Sequence, residues 1–233
     1  MRSDLLLHDM HSHLLPALDD GAKHLEDSLS LIRQLSALGY KKLITTPHVI
    51  SGLYYNSADT IFPALEVLRA AVEKEGIPIE LDAAAEYMMD DYFETLLEDK
   101  TPLLTINGKY VLVEFSYVAH PPNYRTIFFD LKMAGYEPIL AHPERYMYLH
   151  QQFDVYRELF ETGILLQVNL LSLMGYYGSR VQKVAMQLLE EGLVHFIGSD
   201  VHHQKHIDTI SGFEMNRSLE KMFDKGLLRN EQL

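Results

Sequence analysis

No cysteine occurs among the 233 residues. That absence removes disulfides, thiolate metal ligands and any cysteine nucleophile, so the cysteine-dependent phosphatase mechanism is excluded from the start. Basic charge is scarce too. Lys and Arg total 20 against 33 Asp and Glu, a formal net charge of −13, which argues against a nucleic-acid surface and against adhesion to anionic lipid. No apolar run approaches a membrane span, and the N-terminus has no basic-then-apolar signal region; a cytoplasmic location is the default expectation. Low-complexity segments, linker-like runs and internal repeats are missing. What remains is an ordinary globular composition, 47% hydrophobic and 23% charged. Such a length suits one α/β barrel as well as two small domains.

Along the chain, short apolar runs alternate with amphipathic stretches. Strands are expected at Leu5–Met10, Lys42–Thr46, Ile77–Ala83, Tyr110–Phe115, Glu137–Ala141, Ile164–Asn169 and Val194–Gly198. Helices are expected at Leu25–Leu38, Ala58–Lys74, Tyr92–Leu97, Tyr124–Met133, Phe153–Glu161 and Ser179–Glu190, with a last one near Phe213–Phe223. Gly39, Gly76, Gly135, Gly163 and Gly192 stand where a left-handed residue would close a helix. Alternation of this regularity implies a parallel sheet covered by helices, either closed as a barrel or open and doubly wound.

The polar residues collect at one place on this scaffold. His11 and His13 follow the first strand, in "DMHSHLLPALDDG", with Asp20 in the same loop. His48 follows the second strand and Glu86 the third, while Glu114 ends the fourth. His142 follows the fifth, and Asp200 and His202 follow the seventh. All lie at C-terminal strand ends, where α/β barrels build active sites. A lone histidine after a strand is most often a hydrogen-bonding residue, and a lone glutamate is usually solvated or salt-bridged. Nine together on one rim read better as a metal cluster. Alternate residues of an extended strand point the same way, so His11 and His13 can present two imidazoles to one ion. Five imidazoles and four carboxylates without a thiolate suit Mn²⁺, Fe²⁺ or Zn²⁺, and nine donors exceed the needs of one ion, so two or three are implied. Four carboxylates against three divalent cations leave an excess positive charge, suited to a phosphate dianion and a metal-bound hydroxide.

The ordered set HxH, TPH, AEY, EFS, AHPERY and SDxH resembles the PHP (polymerase and histidinol phosphatase) superfamily. Its form here, "DMHSHLLPALDDG…TPH…AE…VEFS…AHPERY…QVN…SDVHH", is most similar to the bacterial tyrosine phosphatases of the CpsB/YwqE, or CapC, kind. The resemblance covers nearly the whole chain. It implies a single PHP phosphatase domain over residues 1–233, folded as a distorted seven-stranded (βα)7 TIM-like barrel. It further implies a trinuclear site preferring Mn²⁺, with Fe²⁺ or Zn²⁺ as other candidates, and a role in capsule or exopolysaccharide synthesis. His11, His13, Glu86 and Asp200 would hold a first metal. Glu86 would bridge to a second, shared with Glu114 and His142. Asp20, His48 and His202 would hold a third. Arg145 of AHPERY matches the arginine that contacts phosphate; with Glu114 and Asp200 it makes up the candidate catalytic set. The implied partner is a phosphotyrosine protein, such as a tyrosine kinase of polysaccharide export. In one departure, "SDVHHQKHIDTI" places Lys205 and His206 where many relatives carry a second arginine.

Other residues weigh less. His8 and His195 read as core or interlayer histidines, and Asp90-Asp91 through Asp99 as a solvated helix face. His203 and His206 make a less compelling extra ligand pair. Tyr54-Tyr55 and Tyr176-Tyr177 sit in the longer loops, where they would line an open mouth or a partner interface. Two other readings stay open: a small-molecule phosphate monoesterase, such as a histidinol phosphatase, and a non-catalytic, metal-stabilised interaction protein. The latter would be expected to have lost ligands, and all nine are present.

Overall fold

A computed structural model of the protein describes residues 7–215, 220–221 and 228–233. Its elements begin with β1 (His8–Asp9), α1 (Leu25–Leu38), β2 (Lys42–Thr45), β3 (His48–Ile50), β4 (Tyr54–Tyr55) and α2 (Ala58–Lys74). Next come β5 (Glu80–Ala83), β6 (Glu86–Met88), α3 (Asp91–Glu98), β7 (Tyr110–Glu114) and α4 (Tyr124–Met133). The remainder holds β8 (Glu137–Ala141), α5 (Phe153–Glu161), β9 (Leu165–Asn169), α6 (Leu170–Leu173), α7 (Ser179–Glu190), β10 (Phe196–Gly198) and α8 (Gln204–Ile210). Five of the expected helices fall on the residues named for them: α1, α2, α4, α5 and α7. Their ends are sharp because glycine supplies a left-handed stop. Gly39, at φ +109°, closes α1 by donating its N–H to the carbonyls of Leu35 and Ser36. The helix expected near Phe213–Phe223 lies largely outside the described residues, as do Leu5 and Leu6 of the first strand. Among the described residues, no helix is long and apolar enough to cross a membrane.

The second and third strands run further than the sequence suggests. Each continues past a break as a second short segment, β2 into β3 and β5 into β6. Pro47 interrupts the pairing because it has no N–H to donate. Ala84 N–H to Thr45 O (3.0 Å) and Glu86 N–H to Pro47 O (3.1 Å) carry the ladder across the gap. One parallel sheet has the order β1-β2-β5 and the other the order β10-β9-β8-β7-β6-β3-β4, in which only the β3–β4 pair is antiparallel. The ring closes where the extension of β1 meets the end of β10. Ser12 bridges Val201, Asp200 N–H donates to His11 O at 2.8 Å, and His13 N–H donates to Val201 O at 2.9 Å. Seven strand positions thus surround one axis.

Strand parity divides the core into two layers. Ala84, Leu112, Ile139, Ala141, Leu165 and Phe196 pack with Met10, Ile44 and Tyr110 inside the barrel. Their strand neighbours Ala83, Val111, Val113, Leu140, Leu166, Val168 and Ile197 face the helices in a larger core. The interior is therefore apolar at its floor. The next inward positions along the same strands are Glu86, Glu114, Gln167 and Asn169, so polarity begins abruptly at the C-terminal rim. His195 faces outward, stacked on Phe160, and accepts the Leu166 N–H at 3.1 Å. Burial holds its pKa down at about 4, as suits a neutral core histidine.

The seam between β1 and β10 has two internal clasps. Near the rim, Asp9 accepts from Ser199 N at 2.7 Å and from the Ser199 hydroxyl, and burial pushes its carboxyl up to about 6 despite these bonds. At the floor, Asn230 spans the gap. Its Nδ2 donates to His8 O (3.0 Å) and Ile197 O (2.7 Å), and its Oδ1 accepts from Ile197 N (3.0 Å). Truncating this side chain strands three backbone groups. Asn230→Ala is expected to lose about 2–3 kcal/mol of stability at ~1 kcal/mol or more per unpaired group, measured by urea denaturation. A loss under about 0.5 kcal/mol would show that the seam does not need this bridge.

Candidate metal centre

The site grows from the positions at which the strands leave the barrel. Register brings its acids and imidazoles side by side: His48 pairs with Glu86 across β3–β6, and Met88 with Glu114 across β6–β7. Two other residues sit in left-handed backbone, His142 at φ 32° and Asp200 at φ 50°. Non-glycine residues there cost of order 1 kcal/mol or more, and such strain concentrates at functional turns. Gly198 is required by crowding, since a Cβ would stand 2.7 Å from Gln167 Nε2 and 2.8 Å from the His11 Cβ.

All nine residues singled out in the sequence converge. Their ligand atoms form overlapping groups, each within 4.8 Å: His11, His13 and Asp200; His11, Glu86 and His142; His48, Glu86 and Glu114; and His13, Asp20, His48 and His202. Glu86, with no exposed surface, lies at the centre. Its Oε2 is 3.2 Å from His11 Nε2, 3.4 Å from His13 Nε2 and 3.0 Å from His48 Nδ1, while its Oε1 is 3.0 Å from His142 Nε2. His48 belongs to two of these groups, its Nδ1 facing Glu86 and Glu114 while its Nε2 faces Asp20 at 3.5 Å. Glu114 lies nearer to His48 (3.1 Å) than to His142 (3.9 Å).

The donors fit divalent cations. Glu86 Oε2, Glu114 Oε1 and His48 Nδ1 are buried and have no hydrogen-bond partner among the described residues, although potential donors and acceptors crowd around them. The two imidazole nitrogens His11 Nε2 and His13 Nε2 approach to 3.3 Å. Unpaired lone pairs turned on shared points are what cation sites require, and an all-N/O set suits borderline-hard ions. In the metal-free chain, protons must balance the charge instead. Burial alone would discharge His13 and His48. Yet Asp19 raises His13 well above the ordinary imidazole range, and Glu86 raises His48 to about 10. Burial alone would likewise protonate Glu86, but His11 and His48 hold it well below the carboxylate range.

Three residues that sequence reasoning left without a role orient these ligands. Asp19 Oδ2 sits 2.6 Å from His13 Nδ1 and also accepts the His48 N–H at 3.1 Å. Gln167 Oε1 lies 2.9 Å from His11 Nδ1, and Gln167 Nε2 donates to Asn169 Oδ1 at 2.8 Å. Asn169 Nδ2 in turn donates to Asp200 Oδ2 at 2.6 Å. Such partners fix ring orientation and raise ligand basicity. The available signals were the doubled aspartate of "LDDG" and the inward parity of Gln167 and Asn169.

Arg145 donates Nη1 to Asp200 Oδ2 at 2.8 Å. It does not pair with Glu144, which is buried on the other side of the turn and accepts from Asn169 N (2.9 Å) and the Ser172 hydroxyl (2.6 Å). A cavity of about 440 Å³ opens over the cluster, lined on its walls by Ile50, Leu53, Tyr54, Met88, Tyr117 and Tyr177. Of the paired tyrosines in the long loops, one of each pair lines it, and Tyr117 was not anticipated. His206 reaches the lining and its Nδ1 accepts the His202 N–H at 3.2 Å, whereas Lys205 is exposed and outside the lining. His203 also lines it. Asp90 caps α3 through Phe93 N and binds Ser51 N, so the acidic run has a structural end.

Because the metal-free site carries protons at neutral pH and a metal-loaded one does not, metal uptake is expected to release protons. Apparent affinity should therefore rise with pH up to about 10, where the His48 imidazole loses its proton. Calorimetry in buffers of different ionisation enthalpy measures this, and pH-independent affinity would contradict it. Elemental analysis is expected to find two to three divalent ions per chain, and fewer in Glu86→Gln. A variant with an unchanged metal count would remove Glu86 from the cluster.

Comparison with known proteins agrees with this picture. A family profile described as "Capsular polysaccharide synthesis, CpsB/CapC" matches residues 7–229. The tyrosine-protein phosphatase YwqE of Bacillus subtilis is 35% identical over 199 residues, 84% of this chain and 78% of that protein. The tyrosine-protein phosphatase CpsB of Streptococcus agalactiae is 33% identical over 201 residues, 84% of this chain and 82% of that protein. A crystal structure from work on YwqE of B. subtilis and CpsB of Streptococcus pneumoniae, described there as metal-dependent tyrosine phosphatases, superposes with a TM-score of 0.81. It is 29% identical and covers 95% of this chain and 96% of its own. A histidinol phosphate phosphatase from Lactococcus lactis shares the fold at a TM-score of 0.55, with 14% identity over 92% of each chain. The chain belongs to the CpsB/CapC family.

Proposed function

We propose that this protein is a metal-dependent protein-tyrosine phosphatase that regulates capsule or exopolysaccharide synthesis. One observation supports the reading above others: His48 and Glu114, with unpaired buried atoms, and the Arg145 guanidinium, one nitrogen of which donates to Asp200, line the same cavity. Residues 1–233 are read as one phosphatase domain working in the cytoplasm. The nine donors, His11, His13, Asp20, His48, Glu86, Glu114, His142, Asp200 and His202, are read as a trinuclear set that prefers Mn²⁺. When bound, the ions would supply charge neutralisation for the phosphoryl oxygens and acidify a water.

The chain's own part in the reaction is binding and orientation. Arg145 offers a planar fork that can grip two phosphate oxygens at once, which an ammonium cannot match. Asp200 sets the angle of that fork with Oδ2, while its Oδ1 faces His11 and His13 at 3.5 Å each. Glu114 stands at the edge of the cluster beside the cavity, its Oε1 3.1 Å from His48 Nδ1. Water attacks phosphorus in line with the ester oxygen. The new bond to water oxygen forms as the bond to the leaving group breaks, and no side chain becomes phosphorylated. A phenol, with a pKa near 10, leaves more readily than an aliphatic alcohol. A tyrosyl ester therefore places the least demand on a protonating side chain. The open mouth suits a phosphotyrosine on a flexible segment, and the family's link to capsule synthesis points to the tail of a polysaccharide-export tyrosine kinase.

Phosphotyrosyl peptides are expected to show higher kcat/KM than phosphoseryl peptides or histidinol phosphate. Tenfold better turnover of histidinol phosphate would replace this assignment with a metabolite phosphatase. In ¹⁸O-water, a single turnover should place one solvent oxygen in the released phosphate. Phosphate free of solvent oxygen in that first turnover would establish a nucleophile on the enzyme.

A further inference from the structure

Arg145 leaves the barrel on the loop after β8, and the sheet order β9-β8-β7 flanks that loop with two others. Each flanking loop contributes one tyrosine. The guanidinium carbon of Arg145 lies 4.2 Å from the ring centre of Tyr177, which follows β9 and α6, and 5.0 Å from that of Tyr117, which follows β7. Both distances are within the range of cation–π attraction. The rings are themselves braced. Tyr117 lies nearly parallel to His142, at 16° and 6.0 Å, while Tyr177 meets Tyr176 edge-on at 5.1 Å.

Such a setting solves a particular problem. A flexible arginine must be held still to grip phosphate, but every carboxylate that holds it consumes N–H groups and cancels charge. Here a single carboxylate, Asp200, takes one nitrogen, and Arg145 makes no other side-chain hydrogen bond among the described residues. Aromatic faces restrain the guanidinium plane without accepting its N–H groups in line, so the rest of the fork stays available to an anion.

We infer that Tyr117 and Tyr177 are positioning residues that preset Arg145 for the phosphate group. The inference rests on the proposed phosphatase reading for its substrate, but its test does not. The probe is inorganic phosphate, titrated by calorimetry into the metal-loaded protein, alongside kcat/KM for a phosphotyrosyl peptide. Tyr177→Leu is expected to weaken phosphate binding about tenfold at unchanged metal content, and Tyr117→Leu somewhat less, given its longer distance. Tyr177→Phe, which keeps the ring, should bind within about twofold of the parent. In an Arg145→Lys background, Tyr177→Leu should cost less than about twofold more, because the group it positions is gone. Fully additive losses in that double variant would overturn the inference, as would full phosphate affinity in Tyr177→Leu. If phosphate binding shows the coupling while phosphotyrosyl peptides are not hydrolysed, the clamp stands and the assigned reaction falls.

Discussion

Glu86 is a carboxylate with no exposed surface, set directly above the apolar floor of a barrel. Burying such a charge costs several kcal/mol unless opposite charge and hydrogen bonds compensate. Four imidazoles at 3.0–3.4 Å meet that demand, and the rest of the site follows from holding them there. His13 leans on Asp19. His11 leans on Gln167, which holds Asn169, which holds Asp200, which holds Arg145. A single hydrogen-bonded relay thus runs from the His11 ring beside the buried acid to the cavity mouth. Asp200 joins its two halves by dividing its oxygens, one toward the imidazoles and one shared by Asn169 and Arg145.

That relay depends on strand parity. Leu165, Gln167 and Asn169 are successive inward positions on β9, and the first belongs to the apolar floor. Ala84 and Glu86 repeat the pattern, as do Leu112 and Glu114. A one-residue slip in any of these strands would send its polar group toward the helices and a valine or alanine into the site. The large apolar core between strands and helices therefore does more than stabilise the barrel. It fixes the register on which Glu86, Glu114, Gln167 and Asn169 depend.

Much of this was legible in the sequence, and the reason is the spacing of constraints. Amphipathic period and closing glycines give helix limits because both are local, and α1, α2, α4, α5 and α7 obey them. The nine donors were legible because each sits at the end of an apolar run. The continuation of β2 into β3 and of β5 into β6 was not, because it rests on hydrogen bonds such as Glu86 N–H to Pro47 O between segments far apart in sequence. Asp19, Gln167 and Asn169 were invisible as orienting residues for the same reason. Their chemistry is ordinary until a histidine from another strand arrives beside it. Tyr117 lay in a loop with no pattern to mark it, and only the neighbouring order of β7 and β8 brings it to Arg145.

The turn from His142 to Arg145 shows how closely the buried cluster and the cavity-side guanidinium are tied. His142, in left-handed backbone, sends its ring to Glu86. Two residues on, Glu144 points back into the core, where Asn169 N and Ser172 hold it. Arg145 then emerges on the cavity side against Asp200. Three consecutive roles in four residues leave little freedom for the distance between the cluster and the guanidinium. The buried part of the site thereby holds its donor cluster and one guanidinium at a fixed spacing, a constraint that acts on the group bound there and on nothing beyond it. Discrimination between esters must come from what surrounds the opening. There the walls include Ile50 and Tyr54, paired across β3 and β4 at the edge of the sheet, and Leu53 of the turn between them, side chains that touch no member of the relay beneath them.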